Sequence, residues 1–305
     1  MAARSTRRYG WLWPALLLGS GTAPAQELAT AGAAGSDIVV TGTREPRRTL
    51  AEFVAAASDD HNGQLARFYT AICPASLGLP EGLGAAIADR VRDIAGAAGI
   101  EVAKPGCRPN LLVVVAERGR DFAAAFRDKR PALFRQLGSR ELSQLLDTDE
   151  PVRAWQLVRL READGRRAEP FVEGPGYVLD AHLMPSHSSS RLQKSMQPGL
   201  AMSFIVFDIG AIEGLTLTQL ADHAAMRTLA RTRSTAAGAR SILGLFEDRR
   251  AGRRPARALT PRDLAYLKAL YRTHGTRTAA QQRRSMARMV ERQLAGTRAS
   301  ERPRR

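Results

Sequence analysis

Hydrophobic and polar positions alternate in blocks along the chain, and each block has its own period. Leu83, Ile87, Val91, Ile94 and Ala98 recur at steps of three and four, one apolar stripe of a helix over 80–98. Gly99 is placed to stop that helix. Before it, Leu65 to Cys73 (LARFYTAIC) has strand composition and ends at Pro74. After it, Leu111 to Ala116 (LLVVVA) is a continuous apolar run, the pattern of a strand buried on both faces. Residues 120–137 are helical in composition with a break at Pro131. This βαβα order predicts a parallel pair joined by a right-handed crossover.

The second half reads with more punctuation. Ser139 to Leu146 predicts a short helix, and Val152 to Leu160 (VRAWQLVRL) predicts a strand. A turn at Asp164-Gly165 and a hairpin partner near Tyr177 to Ala181 follow. Residues 184–199 are polar and rich in Pro, Gly and Ser, and read as the longest loop. Ser203 to Ile209 (SFIVFDI) is another buried strand. Thr216 and Gln219 form a capping box ahead of Leu217, Leu220, Ala221 and Ala224. Thr260-Pro261-Arg262-Asp263 places an N-cap, a first-turn proline and an acid ahead of Leu264, Leu267 and Tyr271. A last helix is expected from Thr276 to Ala295. The fold class is therefore α+β: a mixed sheet with a βαβα N-terminal half and a helix-rich C-terminal part.

The first 25 residues read as a signal peptide. Arg4, Arg7 and Arg8 precede an apolar run, Trp11 to Leu18, and Ala23-Pro24-Ala25 is a cleavage motif. Cleavage after Ala25 would send the chain to the periplasm. No later apolar run approaches the length of a membrane span. Residues 26–36 read as a flexible lead-in, 37–275 as one α+β domain, and 276–305 as a basic amphipathic helix and tail. In an oxidising compartment the two cysteines, Cys73 and Cys107, most simply form one disulfide. They flank the crossover helix, so a bridge would pin both its ends.

Of 305 residues, 46 are Lys or Arg and 30 are Asp or Glu, a net charge of +16. The apolar share of 44% and charged share of 25% are ordinary globular values and exclude wholesale disorder. Residues 26–248 are almost neutral, with 26 basic and 27 acidic groups. Residues 249–305 hold 17 basic and 3 acidic groups. On the last helix Met286, Met289, Val290 and Leu294 share a face, and Arg283, Arg284, Arg288 and Arg292 supply charge. Such a helix fits an anionic envelope surface or a partner protein, reached through residues 276–305. Residues 249–305 have two Tyr and no Phe or Trp for stacking, so no nucleic-acid partner is expected.

HExxH, GxSxG, Walker A and GxGxxG motifs are all absent, so the reading leans away from an enzyme. His182, His187, Asp222 and His223 are the candidate metal ligands, since imidazole and carboxylate suit zinc. No cofactor is otherwise expected.

Two resemblances bear on these residues. Asp37 to Arg44 (DIVVTGTR) resembles the TonB box of outer-membrane TonB-dependent receptors. Similar segments precede uncharacterised exported proteins of Gram-negative bacteria. The octet reads as a first or edge strand, or as a peptide that adds a strand to a partner's sheet. The order of elements, with SFIVFDI followed by the capped helix from Thr216, resembles the layout of degenerate zincin-like exported proteins. In zincins that helix carries HExxH, whose two histidines bind zinc while the Glu activates water. The matching residues here are Gln219-Leu220-Ala221-Asp222-His223, which keep only the second histidine. The resemblance implies an inactive relative. The expected function is thus a non-catalytic binding or envelope-associated role. The alternative is a divergent metal-dependent hydrolase built on His223 with Asp222 or the loop histidines.

Overall fold

A thirteen-residue strand organises the sheet, and everything else is placed by which of its edges or faces it meets. The computed structural model describes residues 47–162, 194–233 and 240–300, all within one compact unit spanning 44–305. Residues 1–25, read above as a signal peptide, the octet 37–44, Asp164-Gly165, Tyr177 to Ala181, His182 and His187 lie outside the described residues.

The chain runs α1 (Arg47–Ala57), β1 (Arg67–Phe68), β2 (Pro74–Leu77), α2 (Glu81–Ala98), β3 (Leu111–Ala116) and α3 (Gly119–Lys129). It continues through α4 (Ser139–Leu146), β4 (Val152–Glu162), β5 (Met196–Asp208), α5 (Ile209–Ile212) and α6 (Leu217–Thr228). It closes with α7 (Leu245–Arg250), α8 (Pro261–Arg272) and α9 (Ala279–Ser300). Strand β5 pairs with β4 in antiparallel register along one edge. Its other edge is shared end to end by β1, opposite Gly199 and Leu200, and β3, opposite Ser203 to Asp208, both parallel. Strand β2 adds outside β3, also parallel. The expected α+β class and parallel β2–α2–β3 unit are both present.

Alternation along the strands divides the core. Leu111, Val113, Val115, Ile205, Phe207 and Val158 face a large core shared with α1, α2, α6, α8 and α9. Val114, Phe204, Val206 and Trp155 face a smaller aromatic core under α3 and α4. There Trp155 stacks on Phe204, ring centroids 4.8 Å apart, and on Phe134 at 5.1 Å. Burial on both faces explains why LLVVVA carries no polar alternation.

Helix ends follow their local chemistry. Gly99 sits at φ 78° and closes α2, its N–H reaching the carbonyls of Ala95 and Gly96. Thr216 and Thr260 both form the expected capping boxes. Two strand readings need correction. The expected strand Leu65–Cys73 holds only β1, and the longer strand starts at Pro74, where it was expected to end. Strand β2 is the outer strand, so its first residue tolerates a missing N–H. Strand β5 begins at Met196, seven residues before the expected start. Its opening Met-Gln-Pro-Gly has loop composition, yet it pairs with Glu162 to Arg159 of β4. Pro198 precedes the stretch joined by β1, where β5 has β4 alone beside it.

Cys73 and Cys107 form a disulfide with Cα atoms 6.0 Å apart, across the two ends of the β2–α2 segment. Unreduced protein will therefore show no alkylatable thiol by mass spectrometry after denaturation. Two labelled thiols would refute the bridge.

Candidate functional site

Helix α6 carries two of the four candidate metal ligands, Asp222 and His223, and local chemistry fixes both. Thr216 Oγ1 accepts from the Gln219 amide at 3.1 Å, and Gln219 Oε1 accepts from the Thr216 amide at 3.1 Å. Gln219 Nε2 also donates to the Ala256 carbonyl at 2.9 Å. The position of a first zinc histidine is thus occupied by a cap. Leu220 is buried in the main core.

Asp222 is completely buried and accepts three donors. Arg90 of α2 binds it in bidentate fashion, Nε to Oδ1 at 2.7 Å and Nη2 to Oδ2 at 3.1 Å. The Leu259 amide donates to Oδ2 at 2.5 Å. The Arg90 guanidinium is held more firmly protonated by this hydrogen bond. The pair ties α2 to α6 and to the entry of α8.

His223 is also completely buried. Its Nδ1 lies 3.0 Å from the Ile242 carbonyl, which can only accept, so Nδ1 carries the proton. Phe246 and Phe207 stand edge-on to the ring at 5.0 Å and 6.1 Å. Burial pushes its pKa down to about 3, against the opposing pull of the Ile242 bond, and nearby Arg227 lowers it further. The ring is therefore neutral at pH 7. Nε2 has no hydrogen-bond partner among the described residues. Ile242 is gripped on its other side by Asp263, which accepts from the Ile242 amide at 2.9 Å and from Ser241 Oγ at 2.5 Å. Asp222 and His223 are adjacent yet serve different contacts, one toward α2 and one toward the 240s. Among the described residues no group of three His, Cys, Asp or Glu could hold a metal ion.

The basic C-terminal segment divides into two populations. Several of its arginines are engaged by the body of the fold. Arg253 pairs with buried Asp248, Arg262 lies over the Phe53 ring, and Arg249 donates to the Glu213 carbonyl. Arg283 turns inward too, bonding Asp60 Oδ1 at 2.6 Å and the Ser58 carbonyl. The apolar face of α9 is covered: Met286 and Val290 are fully buried, and Met289 and Leu294 pack on the same core. Gln282 fastens the helix to the body through the Leu65 amide at 2.8 Å. What α9 presents outward is Arg284, Arg288 and Arg292, one helical row at four-residue steps. At 1.5 Å rise per residue the row is about 12 Å long. None of the three makes an ion pair among the described residues.

Sequence reasoning did not find Arg90, nor Arg153, which is buried and bonds Asp208 at 2.9 Å and the carbonyls of Leu145 and Thr148. Neither leaves a local signal, since each acidic partner lies far away in sequence. Comparison with protein-family models, with curated proteins and with solved structures finds no match to this chain.

Proposed function

We propose that the protein is an exported, envelope-associated binding protein without a catalytic centre of its own. In this reading it contacts an anionic membrane surface through Arg284, Arg288 and Arg292. The exposed row on α9 is the observation that carries the reading. Because the apolar face of α9 is already buried, contact is electrostatic and peripheral rather than inserted. The disulfide fits an oxidising destination. The engagement of Asp222 by Arg90 and of His223 by Ile242 favours a structural role for both over zinc chemistry.

Each arginine near an anionic leaflet contributes about a fivefold gain in partitioning, roughly a hundredfold for three. Full-length protein will co-sediment with phosphatidylglycerol vesicles at low salt and be released at about 0.5 M salt. It will ignore phosphatidylcholine vesicles. Replacing the three arginines with Gln will abolish sedimentation while leaving the melting temperature unchanged. Equal sedimentation of both proteins would remove the row from the function.

A further inference from the structure

A second basic feature lies away from α9, on the sheet itself. Where β5 changes neighbours from β1 to β3, its edge has a gap. Gly199 and Leu200 pair with β1 and Ser203 onward pairs with β3, so Ala201 and Met202 face neither. The opposite edge is irregular at the same place, since Leu157 pairs with Met202 and Val158 with Leu200, leaving Ala201 as a bulge. A cavity of about 320 Å³ opens at this point, next to where the α3–α4 layer ends against Met202. That volume suits a small molecule.

The walls are selective in charge. Arg159 and Arg161 enter from β4, and Arg108 enters from the loop before β3. No Asp or Glu is among the described lining residues. Elsewhere in the body several arginines meet acids: Arg153 has Asp208, Arg231 has Asp59, and Arg90 has Asp222. Arg108 and Arg159 have no ion pair among the described residues. The exposed guanidinium groups of Arg108 and Arg159 therefore offer positive charge at one concavity that an anion can neutralise.

The surroundings are also built to hold this shape. A Cβ on Gly199 would stand 3.0 Å from Arg161 Nε and 3.3 Å from a Tyr69 ring carbon. The missing side chain lets both close over the floor. Tyr69 is fixed by a 2.7 Å bond to Gln197 and carries Arg67 and Arg161 over its ring. The loop bearing Arg108 is clamped on both sides. Cys107 is bridged to Cys73, and Asn110 bonds the Cys73 amide at 2.7 Å and the Ala71 carbonyl at 3.0 Å. Leu157 and Met202 supply an apolar wall.

We infer that this cavity binds a small oxyanion, a carboxylate or phosphate monoester, that carries a short hydrocarbon part. The guanidinium groups of Arg108 and Arg159 grip the oxyanion and Leu157 and Met202 receive the hydrocarbon. This site is independent of the α9 row.

Isothermal titration of the full-length protein with hexyl phosphate, hexanoate, inorganic phosphate and hexanol tests it. Hexyl phosphate or hexanoate will bind at least tenfold more tightly than inorganic phosphate, and hexanol will give no heat. Arg108→Gln and Arg159→Gln will each weaken binding about tenfold, with an unchanged circular dichroism spectrum. The variant with Arg284, Arg288 and Arg292 replaced by Gln will bind as the unaltered protein does. No heat from either organic anion at 10 mM, or undiminished binding in the Arg108→Gln, Arg159→Gln double variant, would overturn the inference. Loss of binding on replacing the α9 arginines would overturn it too, by moving the anion site to that helix.

Discussion

Arg90→Leu will lower the unfolding free energy by about 3–5 kcal/mol, the usual cost of stripping a buried charge of its partner. The reason lies in the asymmetry of the pair. The Asp222 side chain is wholly buried, while 40% of the Arg90 side chain reaches solvent. Removing Arg90 leaves a carboxylate in the core with the Leu259 amide as its remaining donor. Removing the charge at the other end is milder. Asp222→Asn leaves Arg90 partly hydrated and keeps an oxygen for Leu259, so it will cost about 1–2 kcal/mol. Urea unfolding at pH 7 with a constant denaturant slope separates the two values. The same proteins decide the metal question. A zinc site on Asp222 and His223 would give the unaltered protein stoichiometric zinc, lost in His223→Ala. A structural pair predicts no bound zinc and no effect of chelator on the urea midpoint. Equal costs for both substitutions would show that Asp222 has another compensating partner.

How much of this was legible beforehand depended on the distance over which each feature is determined. Helices α2, α6 and α8 announce themselves because a stripe, a glycine and a capping threonine are local. The start of β5 does not, because Gln197-Pro198-Gly199 has no strand propensity and becomes strand only by pairing with β4. The net charge was legible in amount and place, but not in use. Composition cannot say that Arg283 faces Asp60 while Arg284 faces solvent, since adjacent helical residues point about 100° apart. The arginine-lined cavity was least legible of all. Arg108, Arg159 and Arg161 come from two distant segments that meet because β3 and β4 flank the same strand. Asp222 and His223, conversely, are neighbours in sequence that serve different contacts, because adjacency in sequence does not fix what a side chain faces.

His223 will make the protein lose stability on mild acidification. In the folded protein the ring stays neutral down to about pH 3, because burial between Phe207 and Phe246 penalises the cation. Nearby Arg227 pushes the same way. In the unfolded chain a histidine takes up its proton near pH 6.5. The unfolded state therefore binds the proton first as pH falls, and stability drops with it. The contribution is fully present above about pH 6.5 and is lost between there and pH 3, at about 1.4 kcal/mol per pH unit. Between pH 6.5 and 5 this amounts to about 1.5 kcal/mol, in a window where Asp and Glu with ordinary values stay ionised. His223→Asn keeps a donor near the Ile242 carbonyl and removes the titration. The variant will start less stable because it leaves a cavity beside Phe246, yet its stability will stay flatter from pH 6.5 to 5. Chemical denaturation at half-unit steps of pH gives both curves. Parallel curves would mean that the ring can be protonated without unfolding, and that the space around Nε2 admits water or a counter-ion.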